Sequence, residues 1–125
     1  MIRVFLADDH AILRQGLRRL LREAADIEVV GECADGRQVL QAMEQTACDV
    51  LILDLSLPRV SGIEVLRRLQ VSRPALRILV LSMYAEEQYA LRMLREGAAG
   101  YVSKDRPSEE LLRAIRQVAS GQTYR

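Results

Sequence analysis

The chain of 125 residues has one lysine, one histidine and two cysteines, and its net charge is only +1. Cys33 and Cys48 lack metal-ligand spacing and are too few for a disulfide framework. Reduced, buried or half-buried thiols of a cytosolic protein are therefore expected. A near-neutral balance with a pI of about 7.8 gives no electrostatic surplus for nucleic acid or an anionic membrane. No apolar stretch is long enough to span a bilayer, and Arg3, Asp8 and Asp9 interrupt the first strand-like segment where a signal peptide would need an unbroken apolar region. No membrane partner and a cytoplasmic location are expected. Repeats and low-complexity segments are also missing.

What is present is an ordinary mixture, 50% hydrophobic and 28% charged, enough for one core and one domain. Val50-Leu51-Ile52-Leu53-Asp54 is a short apolar run that ends on an acid and is broken at Pro58, the pattern of a strand buried on both faces. Around it, Ile2 to Ala7 reads as a first strand and Ile27 to Val30, reaching toward Cys33, as a second. Ile78 to Ser82 and Ala99 to Val102 read as the fourth and fifth strands. Between them, helical spacing recurs in Ile12, Leu13, Leu17, Leu20 and Leu21, with arginines on a face expected to be solvated. It recurs in Val39, Leu40 and Met43, and in Ile63, Leu66 and Leu69. A fourth helix carries Leu91 and Leu94, with Glu86 and Glu87 in its first turn and Gly97 as its C-terminal cap. Pro107 or Ser108 opens a last helix through Leu111, Ile115 and Val118, ended by Gly121. Five strands alternating with five helices predict an α/β fold: a doubly wound five-stranded parallel sheet, right-handed crossovers and helices on both faces.

In such a sheet the C-terminal strand ends share one edge, where ligands bind. Asp8 and Asp9, Asp54, Ser82 and Lys104 end the first, third, fourth and fifth strands. Three carboxylates together require a cation. Oxygen donors with no cysteine or histidine among them favour a hard divalent ion, Mg²⁺. A metal beside an aspartate, opposed by a lysine and a hydroxyl, suits a phosphoryl group, with Asp54 as the attacking nucleophile. Asp8 and Asp9 could also simply cap the first helix. His10 reads as a helix-start residue at the pocket rim, with a structural or proton-transfer role as the alternative.

Asp8-Asp9, Asp54 with Pro58 four residues on, Ser82 and Lys104 resemble, in order and spacing, the receiver domain of bacterial two-component response regulators. Asp9-His10, Leu81-Ser82-Met83-Tyr84, Gly97-Ala98-Ala99-Gly100-Tyr101 and Lys104-Asp105 resemble its NarL/FixJ (LuxR-type) subfamily, whose members usually carry a helix-turn-helix domain. The resemblance implies a flavodoxin-like, CheY-like strand order 2-1-3-4-5. It implies a signalling switch phosphorylated on Asp54 by a sensor histidine kinase, catalysing its own phosphorylation and dephosphorylation without being a conventional enzyme. Mg²⁺, for which Mn²⁺ can substitute, would be held by Asp9, Asp54 and the Ser56 backbone carbonyl, with Asp8 acting through water. Ser82 and Lys104 would contact the phosphoryl group, Ser82 moving toward it on activation while Tyr101 swings inward. The expected output surface runs from Glu86 to Ala119.

Two positions depart from the common receiver pattern. Asp105 follows Lys104 where proline with a cis peptide is frequent, and Met83 follows Ser82 where alanine is frequent, so Met83 is expected to tune the phosphoryl lifetime. Residues 1–121 are expected to form the receiver and 122–125 to begin a linker toward a DNA-binding domain absent from the chain, so that DNA is contacted only through that domain. A homodimer is a further possibility of the family. The competing functions are a stand-alone receiver acting by protein contact or phosphorelay, a Mg²⁺-dependent aspartyl phosphatase, which would want an acid where Ser56 stands, and a flavin-binding domain, which the acidic strand ends disfavour.

Overall fold

A computed structural model describes residues 1–83, 87–104 and 108–124. Its elements are β1 (Ile2–Ala7), α1 (Ala11–Glu23), β2 (Ile27–Cys33), α2 (Gly36–Gln45), β3 (Val50–Asp54), α3 (Gly62–Ser72), β4 (Arg77–Ser82), α4 (Glu87–Arg95), β5 (Gly100–Ser103) and α5 (Ser108–Ala119). The strands form one parallel sheet in the order β2-β1-β3-β4-β5, as expected. Tyr84, Glu86, Asp105 and Pro107 lie outside the described residues, and with them the loop after Lys104.

All five residues of β3 are buried, which is why its sequence shows no polar alternation. The pleat still divides it. Leu51 and Leu53 join Phe5, Ile78, Val65 and Met93 in the layer under α2, α3 and α4, whereas Val50 and Ile52 join Leu6, Leu79, Leu21 and Ile115 in the layer under α1 and α5. At about 1.5–3 kcal/mol for each large apolar side chain buried, these two layers hold the sheet in place. Winding reverses between β1 and β3, so the carboxyl ends of those two strands flank the crevice where ligands enter such sheets.

Local signals set the element ends. The Asp35 carboxylate accepts from the Gln38 N–H at 2.8 Å and the Ser61 hydroxyl from the Glu64 N–H at 3.3 Å, capping α2 and α3. Gly97 and Gly121, with φ of 107° and 96°, provide the left-handed residues after α4 and α5. The start of α1 differs from the capping alternative. Its N-cap is His10, without a side-chain cap, and the Asp8 carboxylate instead accepts the His10 N–H at 2.8 Å. Ile12, counted with the apolar stripe, is 87% exposed.

The segment after α5 folds back onto the sheet edge. The Tyr124 N–H donates to the Ala99 carbonyl at 2.9 Å and its carbonyl accepts from Tyr101 N–H at 3.0 Å, forming a parallel bridge beside β5. Its hydroxyl donates to Glu110 at 2.6 Å. Tyr124→Ala is therefore expected to lower stability by about 1–2 kcal/mol, read as a lower denaturant midpoint at unchanged slope.

Both cysteines are free thiols. Burial pushes the Cys33 thiol up to about 11 and the Cys48 thiol upward as well. Because the thiolate is the nucleophile, alkylation of native Cys33 is expected to keep rising about tenfold per pH unit between pH 8 and 10. A plateau near the pH where an ordinary thiol titrates would contradict this.

Candidate functional site

The strand ends bring the expected groups together. Asp54, the last residue of β3, is 1% exposed, and Asp8, directly after β1, is fully buried. Lys104 follows β5, its backbone tied to β4 by an N–H donated to the Ser82 carbonyl at 2.6 Å. Its ammonium stands 3.1 Å from Asp54 Oδ2 and 3.4 Å from Asp8 Oδ2. Ser82 is buried at the end of β4, in register with Ser103 of β5, which is buried too. Asp9 lies at the open side, and its Oδ1 is 3.3 Å from His10 Nδ1. Tyr101 is buried within the layer that includes Ala90 and Met93 of α4, while Met83 is 69% exposed.

The site has a defined electrostatic need. Asp8 Oδ2 is buried and accepts no hydrogen bond, despite the nearby ammonium. A buried carboxylate oxygen without a donor is costly, and three acids in one pocket repel one another. Asp8, Asp9, His10 and Asp54 place one ligand atom each within 4.8 Å of the others, a group able to hold a divalent cation. The donor set and the orphaned oxygen fit such an ion.

Two features differ from the sequence reading, and a third adds to it. First, the cluster is not built of oxygen alone, since His10 Nδ1 approaches Asp8 Oδ1 and Asp9 Oδ1, each at 3.3 Å. Second, Arg14 and Arg18 are not on a solvated face. Arg14 donates to the Asp8 carbonyl at 2.5 Å and to Glu32 at 3.1 Å, and Arg18 donates to Glu32 at 2.6 Å. Burial pushes the Glu32 carboxyl up, but these guanidinium hydrogen bonds outweigh it and hold the group below its ordinary value. The signal was available: Arg14 precedes Leu17 by three residues and Leu21 by seven, on the buried stripe of α1. Third, Ser56 also holds Asp54 directly. Its hydroxyl and its N–H donate to Asp54 Oδ1 at 3.0 and 3.1 Å, so each oxygen of Asp54 has a different partner. Beyond it, a tight turn closes from Val60 N–H to the Pro58 carbonyl at 2.9 Å, with Arg59 at φ 71°.

The profile of the response regulator receiver domain family matches residues 4–116, almost the whole chain. The chain is a member of that family. The oxygen regulatory protein NreC of Staphylococcus haemolyticus is 42% identical over 124 residues, covering 98% of this chain and 57% of its own length. The receiver thus spans little more than half of the curated relatives it matches. Among solved structures, a LuxR-family two-component response regulator from Aurantimonas sp. superposes with a TM-score of 0.93 at 36% identity, covering 98% of this chain and 88% of that one. The signal receiver domain of NarL from Mycobacterium tuberculosis gives 0.90 at 31% identity, covering 97% and 98%. This receiver therefore belongs with two-component response regulators of the NarL, NreC and LuxR type, a family of signalling proteins. No helix among the described residues is long and apolar enough to cross a membrane.

Proposed function

We propose that the receiver is a phosphorylation-activated switch whose acceptor is Asp54. The observation that carries this reading is the buried Asp54 carboxylate, held between the Lys104 ammonium at 3.1 Å and the Ser56 donors, beside an Asp8 oxygen that lacks a hydrogen bond. An Asp54 oxygen attacks phosphorus of a phosphohistidine on a sensor kinase. The P–N bond breaks, the electron pair stays on the donor imidazole, and an aspartyl phosphate forms. Dephosphorylation is attack by water on the same phosphorus, which returns the carboxylate. Lys104 offsets charge on the phosphoryl oxygens and Ser82 donates to them.

Asp9, Asp54 and the Ser56 carbonyl would hold Mg²⁺ or Mn²⁺, with Asp8 acting through water. A bound ion supplies further neutralisation of the phosphoryl oxygens. Lys104 already meets part of that need on the side of Asp54. Ser82 and Tyr101 form the switch that passes the state to the surface of α4, β5 and α5, through a two-state packing change. The chemistry is the receiver acting on itself, not turnover of a substrate. Ser56 leaves no acid two residues beyond the nucleophile, which weighs against an aspartyl phosphatase.

In this reading residues 1–121, together with the Tyr124 bridge to β5, are the receiver, and its output is a helix-turn-helix domain through which transcription is regulated in the bacterial cytoplasm. The chain itself, in this reading, does not bind DNA.

The test is incubation with acetyl phosphate, with and without Mg²⁺, followed by intact mass. A single labile adduct that needs the metal is expected, and borohydride reduction should map it to position 54. An adduct on another residue, or none from either acetyl phosphate or a phosphorylated kinase, would refute the switch. Met83→Ala is expected to change the rate at which the adduct decays, and an unchanged rate would remove Met83 from control of the site.

A further inference from the structure

We propose that His10 is a ligand of this site and biases it toward later divalent ions, such as Zn²⁺ and Co²⁺, relative to Mg²⁺. The inference rests on the reading of the acid cluster as a divalent-ion site. His10 Nδ1 stands 3.3 Å from both Asp8 Oδ1 and Asp9 Oδ1 and 3.9 Å from Asp54 Oδ2. Ligand atoms about 2.1 Å from an ion stand about 3.0 Å apart when adjacent in an octahedron and about 3.4 Å apart in a tetrahedron. The spacing of the imidazole from Asp8 Oδ1 and Asp9 Oδ1 falls in that range, while Asp54 Oδ2 stands half an ångström beyond it.

The two nitrogen groups approach the acids differently. Lys104 Nζ takes the side of Asp54 Oδ2 and Asp8 Oδ2, and the imidazole takes Asp8 Oδ1 and Asp9 Oδ1, with 3.3 Å between the two nitrogens. On the Lys104 side of the same carboxylate, the fully buried Asp8 Oδ2 has no hydrogen-bond partner although the ammonium is 3.4 Å away, so the protein's own donors leave part of the cluster's charge unmet. The His10 side chain is 57% exposed and that of Asp9 31%, which leaves an entry path from solvent. Oxygen donors alone suit Mg²⁺, whereas an added imidazole raises affinity along the series from Mn²⁺ toward Cu²⁺ and Zn²⁺. The start of α1 determines this arrangement, because the Asp8 carboxylate accepts the His10 N–H and so keeps the ring's backbone beside the acids.

The experiment compares the full chain with His10→Asn, titrating Mg²⁺, Co²⁺ and Zn²⁺ separately by calorimetry and recording the Co²⁺ visible spectrum. His10 is the sole histidine, so an imidazole contribution has one source. His10→Asn is expected to weaken Zn²⁺ and Co²⁺ binding at least about tenfold more than it weakens Mg²⁺, and to alter the Co²⁺ spectrum. Thermal unfolding of the variant serves as the control for folding. Equal losses for all ions, an unaltered spectrum, or a thiolate charge-transfer band retained in the variant would overturn the proposal while leaving the Mg²⁺ site intact. Zn²⁺ binding that depends on His10, with no Mg²⁺ binding in the parent chain, would uphold the histidine ligand and overturn the Mg²⁺ switch. Failure of all three ions to bind would overturn both.

Discussion

Asp54→Ala is expected to take up no phosphoryl group from acetyl phosphate, and Lys104→Met to take it up at least about a hundredfold more slowly than the parent chain. The first follows from position: among the described residues Asp54 is the carboxylate held by both Lys104 and the Ser56 donors. The second follows from position as well. Lys104 is the single lysine of the chain, and its side chain, 4% exposed, is placed by the end of β5 with the ammonium 3.1 Å from the acceptor oxygen. A cation fixed in a site largely closed to water acts on developing phosphoryl charge far more strongly than one in solvent.

Metal affinity separates this role from a merely structural one. Lys104→Met removes a positive charge 3.4 Å from Asp8 Oδ2, so divalent-ion binding should tighten while uptake falls. Uptake that survived the substitution, or fell only because the ion no longer bound, would contradict the assignment. The paired readouts can be made on one preparation, by intact mass and by calorimetry.

Gly62→Ala is expected to destabilise the fold by about 2–3 kcal/mol and to slow phosphoryl uptake with it. A Cβ at that position would stand 2.5 Å from the Asp54 carbonyl oxygen and 2.6 Å from Leu55 Cα. Both are backbone atoms that cannot rotate aside. The Gly62 N–H also donates to the Leu55 carbonyl at 3.2 Å, which pins the start of α3 against the chain leaving β3. Relief must therefore come from moving α3 or the acceptor's own backbone. Gly16 supplies the contrast, because a Cβ there meets nothing within 4 Å and the residue is in α1. Gly16→Ala should stabilise by about 0.5–1 kcal/mol, as expected for an exposed helix interior. Urea unfolding of the two variants checks both signs, and a neutral Gly62→Ala would mean that the close approach is not a constraint.

By itself the sequence determined the fold class, the order of elements and most of the acid cluster. Hydrophobic periodicity is local, so β3 and the stripes of the helices are written in neighbouring residues. Once the strands are known to be parallel, Asp8, Asp54, Ser82 and Lys104 must end on one edge whatever the details of packing. Only the tertiary structure decided how the side chains on that edge pair. His10 and Lys104 are separated by 94 positions, yet their nitrogens stand 3.3 Å apart. Arg14 reaches the Asp8 carbonyl because α1 packs against β1 at one rotation, and Ser56 turns its hydroxyl to Asp54 because the chain bends after β3. Tyr124 packs beside β5 because a sheet edge offers unpaired N–H and carbonyl groups to whatever segment lies near. These contacts depend on rotation, register and rotamer across elements far apart in the chain, which periodicity does not encode.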